Sequence, residues 1–168
     1  MNNSSKCVWL VRHGKSAWPA DTPDMERPLS QRGRRDGAAM AEVLATSEHI
    51  PQKFYTSDSE RTRQTTELLN DALKLPITST HDLYTGSHRD VEKLLRKTER
   101  SLSCVAVVSH LPTIDSCIRA TNDWPEEHAF PTLAAVCYEV GSEWEEFEFK
   151  HARFLRFFIP RMFRDASA

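Results

Sequence analysis

The sequence lacks a long hydrophobic run, an excess of basic residues and any closely spaced pair of cysteines. Its longest apolar runs are about five residues, far short of the roughly 20 that a membrane-spanning helix needs, and its N-terminal residues do not resemble a signal peptide. We therefore expect a cytoplasmic protein without membrane contact. The 22 Lys and Arg residues are balanced by 24 Asp and Glu, which argues against general binding of nucleic acid.

The four cysteines lie far apart among apolar neighbours, and none belongs to a CxxC motif. A thiol in such a setting behaves as a small core residue. We expect Cys7, Cys104, Cys117 and Cys137 to be buried, unpaired and inert. The chain also lacks a P-loop and an HExxH motif, so we expect neither a metal nor a cofactor.

Strand patterns alternate with helix patterns along the 168 residues. We expect residues 1–168 to form one domain, a three-layer α/β/α sandwich with a mostly parallel central sheet. Continuous apolar runs predict buried strands at residues 7–11 and 104–108. Other strands are predicted at 54–57, 77–80 and 154–159, helices at 31–47, 59–73, 87–100 and from 112, and a hairpin of 133–140 with 144–149.

Two histidines occupy equivalent places behind the two buried strands. His13 and His110 each follow a strand with one polar residue between, Arg12 in one case and Ser109 in the other. Ligands of open α/β sheets bind just beyond the carboxyl ends of the strands. If the strands are parallel neighbours, both imidazoles lie at the functional edge. The alternative for each is an ordinary hydrogen-bonded loop histidine.

Three arginines and a glycine predict an anion pocket at the same edge. Arg12 offers a planar fork that suits phosphate or carboxylate, and Gly14 allows the backbone to turn and approach a ligand closely. Arg61 lies at the start of a predicted helix, where free N–H groups and the helix dipole favour an anion. Arg27 precedes another helix and is a further candidate for binding the phosphate, with an ordinary surface charge as the alternative.

These blocks resemble the histidine phosphatase superfamily, formerly the phosphoglycerate mutase-like group. The resemblance extends from about Val8 to Pro112, and within the superfamily the chain is most similar to the small SixA-type phosphohistidine phosphatases. It implies a phosphoglycerate mutase-like fold, His13 as the nucleophile, and a phosphate pocket of Arg12, Arg61 and His110. The motifs that carry it are Arg12-His13-Gly14-Lys15-Ser16, Arg27-Pro28-Leu29-Ser30, Ser57 to Thr65, Asp82-Leu83-Tyr84 and Ser109-His110-Leu111-Pro112.

The chemistry expected of these residues is phosphoryl transfer without a metal. Such transfer needs positioning and positive charge around the phosphoryl oxygens, which Arg12, Arg61 and a protonated His110 supply. Neutral His13 attacks phosphorus, and water hydrolyses the resulting phosphohistidine. Asp24 and Asp82 are the candidate general acids for an alcohol leaving group, and each has a capping or surface role as its alternative.

The expected substrate is phosphohistidine on a protein. After the Arg-His-Gly motif this chain has Lys15-Ser16 where the mutase branch continues to a phosphate-binding Asn, and its length leaves no room for insertions that enclose sugar phosphates. Imidazole also departs more readily than an alkoxide, which suits a site with a weakly marked acid. Two alternatives are a broad small-molecule phosphomonoesterase and a non-catalytic module that binds phosphoproteins.

Overall fold

The computed structural model describes residues 5–125 and 129–164. Six strands form its central sheet: β1 Cys7–Arg12, β2 Phe54–Ser57, β3 Ile77–Thr80, β4 Cys104–Ser109, β5 Ala135–Glu139 and β6 Arg153–Phe158. The helices are α1 Gln31–Thr46, α2 Glu60–Leu69, α3 Asp82–Thr85, α4 His88–Leu95, α5 Leu111–Thr121 and α6 Arg161–Arg164. The order of the strands across the sheet is β3-β2-β4-β1-β5-β6.

The sheet is mostly parallel, as the sequence predicts. β1 pairs in parallel with β4, from Cys7 opposite Cys104 to Arg12 opposite Ser109. β2 is parallel to both β4 and β3, whereas β5 is antiparallel to β1 and to β6. The carboxyl ends of β1, β4 and β2 therefore meet at one edge.

Helices cover both faces of the sheet and create two cores, so the three-layer prediction is confirmed. On one face, Met40 of α1 and Leu69 of α2 belong to a buried cluster with Trp9. On the other, Val91 of α4 and Ile118 of α5 belong to a second cluster. Each such side chain contributes roughly 1.5–3 kcal/mol through its burial. No helix within residues 5–125 and 129–164 is long and apolar enough to cross a membrane.

The four cysteines are buried and unpaired, as predicted. Burial raises the pKa of the Cys104 and Cys117 thiols well above the ordinary value. A thiol that stays protonated is a poor nucleophile, so these two side chains act as packing residues.

The second arm of the predicted hairpin is wrong. β5 pairs with β6, whereas residues 144–146 and 149–151 form two 3₁₀ turns. The aromatic side chains of Trp144, Phe147 and Phe149 are fully buried in the core. These aromatic residues are buried although they lie on irregular chain, so the sequence shows the apolar pattern that is typical of a strand.

Two helices end earlier than the sequence predicts. Helix α2 ends at Leu69, where the predicted end was residue 73, and helix α4 ends at Leu95, where the predicted end was residue 100. After α2, the Asn70 side chain accepts from the Leu75 amide at 2.7 Å and donates to the Leu75 carbonyl at 2.9 Å, while Lys74 adopts a φ of 55°. After α4, the Thr98 hydroxyl bonds the buried Tyr55 hydroxyl at 2.7 Å. These side-chain contacts turn the chain back toward the sheet.

The sequence does not predict the short helix α3.

Candidate active site

The two strand-end histidines lie side by side at the sheet edge, with their rings in an edge-type arrangement. Their place follows from the parallel register of β1 and β4, and the His13 amide continues it by donating to the Ser109 carbonyl at 3.0 Å. The ring centroids of His13 and His110 are 5.2 Å apart with an interplanar angle of 60°. Both residues are buried. The structure thus brings together the two imidazoles that the sequence analysis singles out.

A main-chain contact fixes the tautomer of His13. Its Nδ1 lies 2.8 Å from the Gly14 carbonyl oxygen, and a carbonyl only accepts, so Nδ1 carries the proton and Nε2 keeps its lone pair. Burial, and then the charges of Arg61, Arg12 and Arg27, lower the pKa of His13 to about 4, against the opposing effect of the Gly14 bond. His13 is therefore neutral at pH 7 and nucleophilic at Nε2.

His110 is also neutral, with the opposite tautomer. Its Nδ1 lies 3.4 Å from Nη2 of Arg61, which only donates, so Nδ1 accepts and Nε2–H donates to the Ser57 hydroxyl at 3.0 Å. Burial, followed by the charges of His13 and Arg61, lowers the pKa of His110 to about 3. In the protein alone the expected protonated His110 is thus not the form present at pH 7.

Arg61 extends from the first turn of α2 to the two histidines. The helix begins behind Ser59, whose hydroxyl caps it by accepting from the Thr62 amide at 3.4 Å, and Arg61 itself is buried. Its guanidinium donates to the Asp24 main-chain carbonyl at 2.6 Å and to the Asp24 carboxylate at 3.0 Å. A fixed cation therefore stands beside His110.

Arg12 adds a second cation that is only partly paired. Its Nη1 donates to the Phe130 carbonyl at 2.9 Å, whereas its buried Nε has no hydrogen-bond partner among the residues that the structure describes. Burial lowers the pKa of Arg12. A buried donor without a partner costs about 1–3 kcal/mol, so the fold holds this charge in place at some expense of stability.

Arg27 reaches the same edge through Asp24. It is buried, and its Nη1 lies 3.0 Å from the Asp24 carboxylate. Three further contacts hold it. Its Nε donates to the Ala17 carbonyl at 3.2 Å, its Nη2 donates to the Ser16 hydroxyl, and its guanidinium stacks on the exposed Trp18 ring, 3.2 Å from the ring centroid. Arg27 therefore faces the site, although its contact there is a carboxylate of the protein.

The two candidate general acids lie in different surroundings. Tyr84 donates its hydroxyl to the Asp24 carboxylate, and this bond, together with Arg61 and Arg27, holds the pKa of Asp24 far below its ordinary value. An ionised carboxylate has no proton to give at pH 7. Asp82 is exposed at the first residue of α3, and the residue of this helix that reaches the site is Tyr84.

Position 14 needs a glycine for a different reason from the expected close approach to a ligand. Its amide donates to the Thr65 hydroxyl at 3.0 Å, so the N–H already has a partner inside the protein. A Cβ at this position would lie 2.8 Å from a Leu133 methyl and 3.1 Å from the Gly33 carbonyl. The glycine is required by packing behind the loop, and its carbonyl orients His13.

Both the sequence and the fold are similar to those of known proteins. The family model described as "Histidine phosphatase superfamily (branch 1)" matches residues 8–101, more than half of the chain, and the match includes His13 and Arg61. The chain belongs to the histidine phosphatase superfamily. An uncharacterized protein of Mycobacterium tuberculosis is 26% identical to this histidine phosphatase over 160 residues, 90% of this chain and 100% of that one.

Solved structures share the fold. The protein histidine phosphatase SixA in complex with tungstate is 26% identical, with a TM-score of 0.76 over 93% of this chain and 98% of that one. A SixA structure from Nakamurella multipartitia is 20% identical, with a TM-score of 0.81 over 93% and 96%. A mycobacterial glucosyl-3-phosphoglycerate phosphatase is 17% identical, with a TM-score of 0.67 over 92% and 98%. The family and the fold support a phosphatase activity.

Several residues of this histidine phosphatase site were not predicted to belong to it. Ser57 carried a signal, because it is a polar residue at the carboxyl end of β2. Tyr84 belongs to the Asp82-Leu83-Tyr84 motif, but that motif does not indicate its contacts. Its hydroxyl donates to Asp24, and its ring packs edge-on against the His110 ring with the centroids 5.2 Å apart. Among the described residues, no group of three or more His, Cys, Asp or Glu is placed to hold a metal, and the positive charge comes from arginine.

Proposed function

We propose that the protein is a metal-independent phosphatase that removes phosphate from phosphohistidine on a protein through a covalent intermediate on His13. The observation that carries this proposal is the state of the His13 ring. Its Nδ1 proton is bound to the Gly14 carbonyl, its Nε2 lone pair has no hydrogen-bond partner among residues 5–125 and 129–164, and burial keeps the ring neutral. A histidine in that state is ready to attack a phosphorus atom.

The phosphate pocket in this proposal consists of Arg12, Arg61 and His110. Both guanidinium groups supply positive charge, and a bound dianion favours the protonated form of His110. Protonation at Nδ1 turns that nitrogen from an acceptor into a donor toward the phosphoryl oxygens. The tungstate complex of the 26% identical SixA relative supports an oxyanion site in this fold, because tungstate is a tetrahedral oxyanion like phosphate.

The reaction takes two steps. In the first, His13 Nε2 forms a bond to phosphorus while the bond from phosphorus to the substrate nitrogen breaks, and the electron pair of the broken bond returns to the substrate ring. In the second, water forms a bond to phosphorus, the bond to Nε2 breaks, and its electron pair returns to His13. The proton lost by the water remains on the phosphate or passes to solvent, so neutral His13 is regenerated.

The leaving group supports phosphohistidine over a phosphomonoester. An alkoxide needs a proton as it departs, and Asp24 is held ionised by Arg61 and Tyr84. An imidazole whose second nitrogen carries a proton departs as a neutral ring and needs no further proton. The relatives named as SixA phosphohistidine phosphatases support the same choice.

The test is a rapid-quench experiment on the wild type, His13→Ala and His151→Ala. We expect the wild type and His151→Ala to carry acid-labile phosphate during turnover of a phosphohistidine protein, since His151 is exposed and pairs with Glu148 at 3.4 Å. His13→Ala should carry none and turn over at background, with its unfolding temperature retained. Turnover by His13→Ala would exclude His13 as the nucleophile.

Two other results would replace the proposal. A higher kcat/KM for phosphoserine or sugar phosphates than for the phosphohistidine protein would indicate the phosphomonoesterase alternative. Stoichiometric binding of the phosphohistidine protein, with neither turnover nor covalent phosphate, would indicate a binding module.

A further inference from the structure

Asp24 places an ionised carboxylate at the outer side of the site. Its oxygens accept from Arg61 at 3.0 Å, from Arg27 at 3.0 Å and from the Tyr84 hydroxyl. The side chain of Asp24 is 49% exposed, whereas those of Arg61 and Arg27 are 8% and 9% exposed. The inner face of the carboxylate is therefore bound to the protein, and its outer face is open to an incoming group.

A carboxylate in this place is unexpected for a site that binds a dianion. It reduces the positive charge beside the phosphate and gives no proton to a leaving oxygen. It remains able to accept a hydrogen bond, because two carboxylate oxygens have about four acceptor positions and the three contacts leave part of that capacity free. Its chemistry suits a leaving group that carries an N–H.

Phosphoryl transfer from one imidazole to another makes the same demand on both rings. Each ring bonds phosphorus through one nitrogen and must keep a proton on the other, so that it departs neutral. His13 meets this demand through the Gly14 carbonyl, 2.8 Å from its Nδ1. The substrate ring, on the far side of the phosphorus in an in-line transfer, needs an acceptor of its own.

We propose that Asp24 is that acceptor, and that it makes the enzyme specific for phosphoramidates whose leaving group carries a second N–H. The proposal rests on the proposed function and deepens it. Asp24 binds the N–H of the substrate imidazole opposite the P–N bond and stabilises the protonated ring. When the P–N bond breaks, its electron pair returns to the bonded nitrogen, the ring leaves neutral with the Asp24-bound proton still on it, and Asp24 remains a carboxylate.

The test compares two small substrates, phosphoimidazole and p-nitrophenyl phosphate. Phosphoimidazole with its ring protonated has an N–H for Asp24 to bind, and its ring leaves neutral. p-Nitrophenyl phosphate releases a nitrophenolate, which leaves without a proton and has no N–H. Both use the same His13 nucleophile and the same phosphate pocket. The ratio of their kcat/KM values therefore isolates the leaving-group contact.

The variants are Asp24→Asn, Asp24→Ala and the matched control Asp21→Asn. Asp21 lies in the same loop, is exposed, and adopts a φ of 57°, which Asn accepts readily. Loss of a hydrogen bond to a charged acceptor corresponds to about 10- to 100-fold. We expect both Asp24 variants to lower kcat/KM for phosphoimidazole by that factor more than they lower it for p-nitrophenyl phosphate, and Asp21→Asn to change neither.

Inhibition by inorganic phosphate reports whether Arg61 and Arg27 keep their places in each variant. An equal loss on both substrates would mean that Asp24 only positions the arginines, and an equal gain would mean that it only competes with phosphate. Either result overturns this proposal and leaves the phosphohistidine phosphatase proposal intact. A wild type that forms no phosphoenzyme from a phosphohistidine protein would instead refute the proposed function, and this inference with it.

Discussion

Acid should destabilise the protein through His13 and His110 before it affects any carboxylate. Their pKa values in the folded protein are about 4 and about 3, below the value of about 6.5 for an unfolded chain. The unfolded chain therefore takes up these two protons first. The contribution of the two histidines to the free energy of unfolding is complete above pH 6.5. It is lost progressively as the pH falls from there through their pKa values in the folded protein.

The size of the effect follows from the same numbers. At pH 5, an unfolded histidine is almost fully protonated and the folded one is not, so each of the two costs about 2 kcal/mol relative to pH 8. Because a domain is stabilised by only about 5–15 kcal/mol, a combined loss of about 4 kcal/mol is readily measured. Asp24 hardly interferes at pH 5, because a carboxyl group with a lowered pKa loses its contribution to stability only as the pH falls through its unfolded value of about 4 and below.

The assay is urea unfolding of the wild type, His13→Asn and His110→Asn at pH 8 and pH 5. Each variant lacks one of the two titrations and should lose about 2 kcal/mol less than the wild type between the two pH values. The titrating groups away from the two histidine rings are common to the three proteins and cancel in the comparison. If the free energies of unfolding of wild type and His13→Asn differ by the same amount at both pH values, the His13 ring is not held neutral by its surroundings.

Two further predictions concern the arginine site and the loop behind His13. Arg61→Ala should lower kcat/KM for any phosphorylated substrate by about 100-fold or more. The surface residue Arg63, which pairs with glutamates, should tolerate the same change. Equal losses of kcat/KM in steady-state kinetics of the two variants would contradict the proposed pocket. Gly33→Ala places a Cβ 2.2 Å from the Lys15 carbonyl and should lower the free energy of unfolding by more than about 2 kcal/mol. Gly37→Ala in the same helix meets only side-chain atoms, the nearest at 2.8 Å, and should change it by about 1 kcal/mol or less in urea unfolding.

The strand-end histidines could be predicted because the signals that place them are local. An apolar run fixes where a strand ends, and the parallel register of β1 and β4 then brings His13 and His110 to one edge. The hairpin error has a local cause too, since buried aromatic residues at 144–149 give the same pattern on irregular chain as on a strand.

The contacts of Asp24 could not be predicted from the sequence. Tyr84 reaches it across 60 positions, and nothing in either local segment indicates the other. Gly14 shows a related limit, because the sequence marks a position that needs glycine, while only the fold shows that Leu133 and Gly33 impose the need. The proton positions on the two histidine rings could not be predicted either, since they depend on which neighbouring atoms only donate and which only accept hydrogen bonds.

The bond from His13 to the Gly14 carbonyl makes the orientation of the ring a property of the main chain. A catalytic histidine that depends on a carboxylate side chain loses its tautomer with one substitution, whereas every amino acid encoded at position 14 would bring a carbonyl oxygen. Drift at that codon can disturb the loop but cannot delete the acceptor. For protein engineering, the proposed nucleophile can therefore be transferred as a loop conformation, without the transfer of a second functional side chain.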